Sequence, residues 1–174
     1  MWIREDASEK ITDFLVRKGA EQINTTDLVR IMNDGVRNPD TDVVIVFSQD
    51  IIPDKVLDNI STPSPNSLFR KFLNAGHTII WLGDEPTFHV GLSDKKHRPL
   101  PQPQTIQHLI GNPSLKPIRT DDRLVLVKPT LEGLLLGMRP WKGKRPHGSL
   151  TIGVNFIPLG VSREGVHSYI YSTK

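Results

Sequence analysis

HTIIWLGDEPTFHVG, residues 77–91, is the stretch of sequence on which the predicted fold depends most. Its apolar run, residues 78–82, stops at Gly83 and is followed by Asp84-Glu85-Pro86. In an open parallel α/β sheet, a central strand ends in this way where its C-terminal edge opens into a ligand crevice. We therefore expect a strand over residues 78–82 and a site near its end.

A second apolar run supplies the neighbouring strand. Residues 43–47, VVIVF, are mostly β-branched and show no alternation, which is typical of a strand covered on both faces and central in a parallel sheet. A helix capped by Asn66 or Ser67, carrying Phe69 and Phe72, separates the two runs and ends at Ala75-Gly76. Residues 43–82 thus read as one βαβ unit.

The N-terminal part of the chain predicts alternating strands and helices. Trp2-Ile3-Arg4 precedes a helical pattern that Asp6 or Ser8 can cap and that Gly19 ends. Residues 21–24 form a brief strand before a second helix capped by Thr25 or Thr26. Pro53 opens a short helical turn. The order is β-α-β-α before the central strand.

The rest of the chain is less periodic. Residues 86–118 hold many prolines and read as a long irregular excursion, with one short helix at 105–110. Next come a strand at 123–127, a helix at 131–136 capped by Thr130 and a loop at 138–148. Residues 150–156 and 166–171 then predict an antiparallel hairpin. We predict one α/β domain, 1–174: three flavodoxin-like layers around a mostly parallel sheet, with this C-terminal hairpin.

Length, composition and charge narrow the class of protein. The chain has 174 residues, 37% of them hydrophobic and 24% charged, which suits a single domain with an ordinary core. The net charge of +3 is small, so we expect no dedicated nucleic-acid binder. No apolar run approaches the roughly 20 residues that cross a bilayer. The start of the chain does not resemble a secretion signal, so we expect a cytoplasmic protein without a membrane partner.

Several kinds of site lack their sequence signature. There is no cysteine, which excludes disulfides, thiolate metal ligands and a cysteine nucleophile. The histidines show no HxH or HExxH spacing, and neither glycine-rich phosphate loop is present. We therefore predict no metal and no cofactor.

Two segments together resemble a known superfamily. TDVVIVFSQDIIPD, residues 41–54, followed by SLFRKFLNAGHTIIWLGDEP, residues 67–86, is similar to the middle of the class I glutamine amidotransferase-like superfamily, especially its trehalose-utilisation-like (ThuA-like) branch. The resemblance implies a flavodoxin-like sheet with a crevice at its strand ends. The active amidotransferases carry a nucleophilic cysteine at the turn where this chain has Asp84 or Glu85, so glutamine hydrolysis by that mechanism is excluded here.

The strand ends hold the first candidate site. Asp84, Glu85 and His89 could act as acid, base or metal ligands, and Asp50 could reach the same edge from the neighbouring strand, beside Ser48 and Gln49. The alternative, which we favour, is that Asp84 and Glu85 accept hydrogen bonds from backbone amides in the turn that the following proline stiffens.

Two basic clusters could meet anions. Residues 95–98, KKHR, fit a solvated face. In residues 139–145, RPWKGKR, Trp141 lies between Arg139 and Lys142 and could stack on a base or a sugar ring. A solvated loop is the alternative for this cluster too.

These patterns predict a non-catalytic module for ligand binding or assembly. The expected ligand is a sugar or another small polar molecule near Ser48, Gln49 and Asp50, with Arg139 and Trp141 as further contacts. The expected partners are copies of the chain or a larger assembly. One alternative is a hydrolase that uses the carboxylates and imidazole of the strand ends; another is association with nucleic acid through residues 139–145.

Overall fold

A computed structural model of the chain describes residues 5–61, 63–82, 89–92, 97–99, 104–113, 115–118, 124–144, 148–149 and 156–172. The chain divides into two compact units, Met1–Gly111 (unit 1) and Asn112–Lys174 (unit 2). Both helices and strands occur among the described residues, so the fold is mixed α/β. Each unit is described by itself.

Unit 1 contains four α-helices and five short strands among its described residues. The helices are α1 (Glu5–Arg17), α2 (Thr25–Arg37), α3 (Leu68–Asn74) and α4 (Gln104–Ile110), with a 3-10 turn at Asp54–Val56. The strands are β1 (Val44–Phe47), β2 (Ile51–Pro53), β3 (Thr78–Trp81), β4 (His89–Gly91) and β5 (His97–Pro99).

The two strands of the predicted βαβ unit pair with each other in parallel, but neither has a second neighbour among the described strands, so the expected central position is not found. β1 and β3 are parallel, in a register that runs from Val44 opposite Thr78 to Phe47 opposite Trp81. β2 and β4 are also parallel, and β5 adds to β4 in the antiparallel direction. The sheets formed by the described strands of unit 1 are therefore small, with two and three members.

The core of unit 1 lies on one face of β1. Ile45 and Phe47 are buried there with residues of α2 and α3, and the Phe47 ring packs 4.9 Å from that of Trp81. On the other face Val44 is 58% exposed and Val46 is half-buried. The expectation that this strand is covered on both faces is therefore wrong. The run could not reveal its open face, because all five of its residues are apolar.

The N-terminal expectations hold only in part. Trp2-Ile3-Arg4 lies outside the described residues, and residues 21–24 form no strand. Asn24, rather than Thr25 or Thr26, caps α2: its side chain accepts a 3.0 Å hydrogen bond from the Asp27 amide. Residues 21–24 thus lead into the cap of α2 and do not form the expected strand.

Unit 2 is built from antiparallel strands around one short helix. Its elements are β6 (Pro117–Ile118), β7 (Leu124–Pro129), α5 (Leu131–Leu135), β8 (Trp141–Lys144), β9 (Gly148–Ser149), β10 (Phe156–Val161) and β11 (Val166–Tyr171). The described strands run in the spatial order β6-β9-β11-β10-β7-β8. β10 and β11 form an antiparallel hairpin, as predicted, and β11 matches the expected strand at 166–171. The first strand of the hairpin is Phe156–Val161 and not the expected 150–156, of which residues 150–155 lie outside the described residues.

Two further expectations change in this part of the chain. Residues 138–148 do not form a simple loop, because β8 pairs antiparallel with β7, placing Trp141 opposite Val127. The excursion at 86–118 holds β4, β5, α4 and β6, of which only α4 was expected. Among the described residues, no helix has both the length and the apolar character needed to span a bilayer.

Candidate functional site

A groove of about 700 Å³ runs between α1 and β1 in unit 1. Residues of α1 form one wall, and the segment 20–25 and α2 contribute further lining residues. The floor comes from β1, and Ser48, just after β1, is joined to the α1 wall by hydrogen bonds. The residues that line the groove carry hydroxyl, amide, carboxylate and aliphatic side chains, for example Thr12, Gln22, Glu9 and Val44.

Three hydroxyls join α1 to the end of β1. Ser8 Oγ donates to Ser48 Oγ over 3.3 Å, and Thr12 Oγ1 lies 3.0 Å from the same Ser48 oxygen. Thr12 also donates its proton to the Ser8 carbonyl oxygen, 3.0 Å away. Ser8 is the buried residue of α1. Hydroxyl bonds, rather than a buried apolar stripe, therefore hold this helix at the strand end.

The protons of this hydroxyl cluster run in one direction. Thr12 donates its single hydroxyl proton to the Ser8 carbonyl oxygen. Ser48 is therefore the donor, and Thr12 the acceptor, in the hydrogen bond between these two hydroxyls. Ser48 in turn accepts from Ser8. A hydroxyl has one proton and two lone pairs. The cluster thus has lone pairs to spare and no further protons, so it accepts hydrogen bonds from a ligand more readily than it donates them.

The rim and the floor differ in character. Exposed carboxylates stand along the rim, while the floor is aliphatic and includes the open face of Val44 and Val46. Carboxylates are acceptors only, so the rim has the same preference for donors as the hydroxyl cluster. It also disfavours anions. The rim carboxylates are Glu5, Glu9, Asp13 and Glu21.

The sequence-predicted residues at the end of β1 have different environments. Ser48 belongs to the hydroxyl cluster, and Gln49 is exposed and lines the groove. Asp50 is fully buried and does not line it. Ser48 thus lies in the groove wall, Gln49 is exposed to solvent at the groove, and Asp50 lies in the interior of unit 1.

The other predicted residues do not gather here. His89 lies half-buried in β4, opposite Ile51 of β2, and so comes near Asp50 along the backbone. Asp84 and Glu85 lie outside the described residues. Arg139 and Trp141 belong to unit 2, where both are exposed. No group of three or more metal-ligating side chains forms among the described residues.

Sequence reasoning missed Ser8 and Thr12 as groove residues. Ser8 appeared only as a helix cap, yet it lies inside α1. The two hydroxyls are four residues apart, which places them on one helix face. That spacing was the available signal, but only the packing of α1 against Ser48 gives it a meaning.

Comparisons with known proteins place the chain beside one family. The sequence model of the MJECL34 family matches residues 1–174. A relative from Methanocaldococcus jannaschii, the uncharacterized protein MJECL34, is 35% identical over 181 residues. The match covers 99% of this chain and 59% of the relative, so the chain spans well under two thirds of that protein's length. No solved structure matches significantly.

Proposed function

The chain belongs to the MJECL34 family, and from the groove of its first unit we propose that it is a non-catalytic module that binds a small, hydroxyl-rich ligand. The observation that carries this proposal is the one-way hydroxyl cluster of Ser8, Thr12 and Ser48 in the groove wall. A neutral sugar is the ligand class that these groups fit best.

The size and composition of the groove support a small ligand. Small-molecule sites commonly enclose about 300–1,000 Å³ and combine apolar surface with a few placed polar groups. The groove has about 700 Å³, an aliphatic floor at Val44 and Val46, and the hydroxyls of Ser8, Thr12 and Ser48 in its lining. A sugar ring can lay its C–H face on such a floor.

The hydrogen-bonding character supports a donor-rich, uncharged ligand. Sugar hydroxyls carry protons that the spare lone pairs of the cluster and the amide oxygens of Gln22 and Gln49 can accept. The rim carboxylates would repel a phosphorylated sugar. We therefore expect neutral sugars to bind and their phosphates to bind much more weakly.

We also propose a flavodoxin-like fold for unit 1. Parallel pairing of β1 with β3 and of β2 with β4, with α2 and α3 packed on one face, is compatible with a flavodoxin-like unit related to the amidotransferase-like superfamily. The chain has no cysteine, so it cannot supply the cysteine nucleophile with which the active amidotransferases hydrolyse glutamine. The hydrolase alternative needs Asp84 and Glu85, which lie outside the described residues, and it stays a prediction.

A blocking variant tests the proposal. Val44→Trp puts a large ring on the groove floor while keeping a side chain that suits a strand. Ile170→Trp is the matched control, because Ile170 is an exposed β-branched strand residue of unit 2 that does not line the groove. Ligand-observed NMR with trehalose, glucose and glucose 6-phosphate should show neutral-sugar binding that Val44→Trp abolishes and Ile170→Trp leaves intact.

A second variant tests the hydroxyl cluster itself. Ser48→Ala breaks the proton chain and should weaken binding about fivefold, the effect of one hydrogen bond of about 1 kcal/mol. Thr26→Ala, at an exposed hydroxyl of α2 outside the groove lining, should leave binding unchanged. Failure of every neutral sugar to bind, or equal binding by Val44→Trp, would contradict the proposed function.

A further inference from the structure

Exposed leucines cluster on the short helix of unit 2. The apolar side chains of α5 and its C-cap are between 55% and 80% exposed. An isolated exposed leucine is ordinary, but a contiguous group marks a contact surface. The four residues are Leu131, Leu134, Leu135 and Leu136.

The structure fixes the direction in which these leucines face. Gly133 is the buried residue of α5, and a Cβ placed on it would lie 2.1 Å from the Leu159 carbonyl oxygen. The helix therefore lies against β10 on its glycine side and turns its other sides outward. Gly137, with φ of 80°, ends the helical segment directly after the leucines.

Three of the leucines form a short stripe. Leu131, Leu134 and Leu135 lie at i, i+3 and i+4 on one face of α5, and Leu136 follows at the C-cap. A helix that docks in a protein groove continues such a stripe to i+7, which the five helical residues of α5 cannot reach. A fluid apolar phase needs no continued stripe and can surround every side of α5 that does not face β10.

Unit 2 is also strongly basic. Its sequence holds ten lysines and arginines against four aspartates and glutamates, a net charge of +6, whereas unit 1 has twelve against fifteen, a net charge of −3. Lys128, Arg139 and Lys142 are exposed, and Lys142 lies opposite Leu126 in the register of β8 and β7. Among the described residues, none of these three cations forms an ion pair with a carboxylate.

We propose that unit 2 adsorbs to the surface of an anionic lipid bilayer, with the α5 leucines entering the headgroup boundary and the exposed cations of the same unit attracted to lipid phosphates. Apolar insertion together with electrostatic attraction is how interfacial segments bind membranes. The net charge of +6 opposes face-to-face pairing of two copies through this surface. Nucleic acid is a less suitable partner, because it offers little apolar surface against which four leucines could be buried.

This surface binding differs from a membrane span. The sequence expectation of no membrane partner rested on the absence of a long apolar run, which does not address adsorption. The proposal also does not depend on the ligand groove, because all the residues that carry it belong to unit 2.

Vesicle flotation tests the proposal directly. The protein should float with vesicles of phosphatidylcholine and phosphatidylglycerol in equal parts, and not with phosphatidylcholine alone. Leu134→Ser with Leu135→Ser should lower partitioning by at least about tenfold, the effect of removing a buried leucine. Phe14→Ser is the matched control: it removes a 53% exposed apolar side chain from α1 of unit 1 and should change nothing. Circular dichroism checks that each variant is folded.

A salt series tests the electrostatic part. Going from about 0.1 M to 1 M salt shortens the Debye length from about 10 Å to 3 Å and should weaken adsorption strongly. Lys142→Glu with Arg139→Glu should have a similar effect at low salt.

Three results would overturn the proposal. One is flotation that is equal with both vesicle types or unaffected by the leucine variant. Another is leucine-dependent oligomerisation in light scattering without vesicle binding, which would make the occupant a second copy. The third is nucleic-acid binding that depends on Arg139 and Lys142 but not on the leucines, without vesicle binding.

Discussion

The Thr130 hydroxyl donates a 2.7 Å hydrogen bond to the carbonyl oxygen of Pro158, while its oxygen accepts a 3.2 Å bond from the Gly133 amide. One side chain therefore caps α5 and fastens it to β10. The sequence identified the cap, because Thr130 precedes an apolar helical segment. The bond to the strand is tertiary and could not be read from the sequence.

Loss of this hydroxyl should destabilise unit 2. Thr130→Val keeps the shape of the side chain but removes the cap and leaves the Pro158 carbonyl without its donor, which should cost about 1–2 kcal/mol. Thr130→Ser preserves both bonds and should stay near the wild type. Urea unfolding followed by circular dichroism measures the difference. Equal midpoints for the valine variant and the wild type would show that the bonds contribute nothing measurable.

Gly133→Ala should destabilise α5 even though alanine favours helices. The new Cβ would lie 2.1 Å from the Leu159 carbonyl oxygen, a backbone atom that cannot move without shifting β10. Overpacking of this kind costs about 1–3 kcal/mol, against a propensity gain of about 1 kcal/mol. Leu134→Ala, at an exposed position of the same helix, is the control and should be nearly neutral. A Gly133→Ala variant more stable than the wild type would mean that α5 does not lie this close to β10.

A similar close approach occurs in unit 1 at Gly35 of α2. A Cβ there would lie 2.9 Å from both His77 Nε2 and Phe72 Cε2, whose rings pack 4.6 Å apart. Gly35→Ala should therefore lower the free energy of unfolding, because the crowding cost of about 1–3 kcal/mol exceeds the gain in helix propensity. Arg37→Ala, on an exposed part of α2, should change little. Thermal unfolding compares the two, and a higher melting temperature for Gly35→Ala would contradict the packing.

The pKa of the Asp58 carboxyl should be lower than its ordinary value of 3.8. Partial burial acts in the opposite direction and raises the pKa, but hydrogen bonds from the Ser64 hydroxyl and amide outweigh it. A pKa that is lower in the folded state stabilises the protein above the unfolded pKa, and this contribution disappears as pH falls through the folded value. Ser64→Ala should raise the pKa of Asp58, as measured by carboxyl NMR. Thr41→Ala, at an exposed hydroxyl elsewhere, should not.

Local patterns predicted several elements well. The strands β1, β3 and β7, the helices α3 and α5 and the second strand of the C-terminal hairpin carry apolar runs, caps or turns that act over a few residues. The missed strands carry no such pattern. β2 is IIP, β5 is HRP and β8 is WKGK, and each is a strand because of the neighbour it pairs with. Pairing with a neighbouring strand, rather than the intrinsic propensity of their residues, makes these segments strands.

The candidate site was only partly accessible to sequence reasoning. Ser48 and Gln49 were expected near a site because they follow a strand, and both line the groove. Asp50 looked equivalent but is fully buried, since adjacent residues leave a strand end in different directions. The opposite wall, with Ser8 and Thr12, comes from a helix about 40 residues earlier in the chain.

The weak attachment of α1 means that this helix should unfold locally before the rest of unit 1. Exposed apolar side chains such as Phe14 and a buried serine leave this helix with little apolar contact to lose, so the three hydroxyls are its main restraint. Segments of this kind exchange their amide hydrogens through local excursions, at a free energy well below that of global unfolding. A sugar held by the same hydroxyls would slow the exchange of α1 selectively, and the rate of hydrogen exchange in one helix would then report occupancy of the groove.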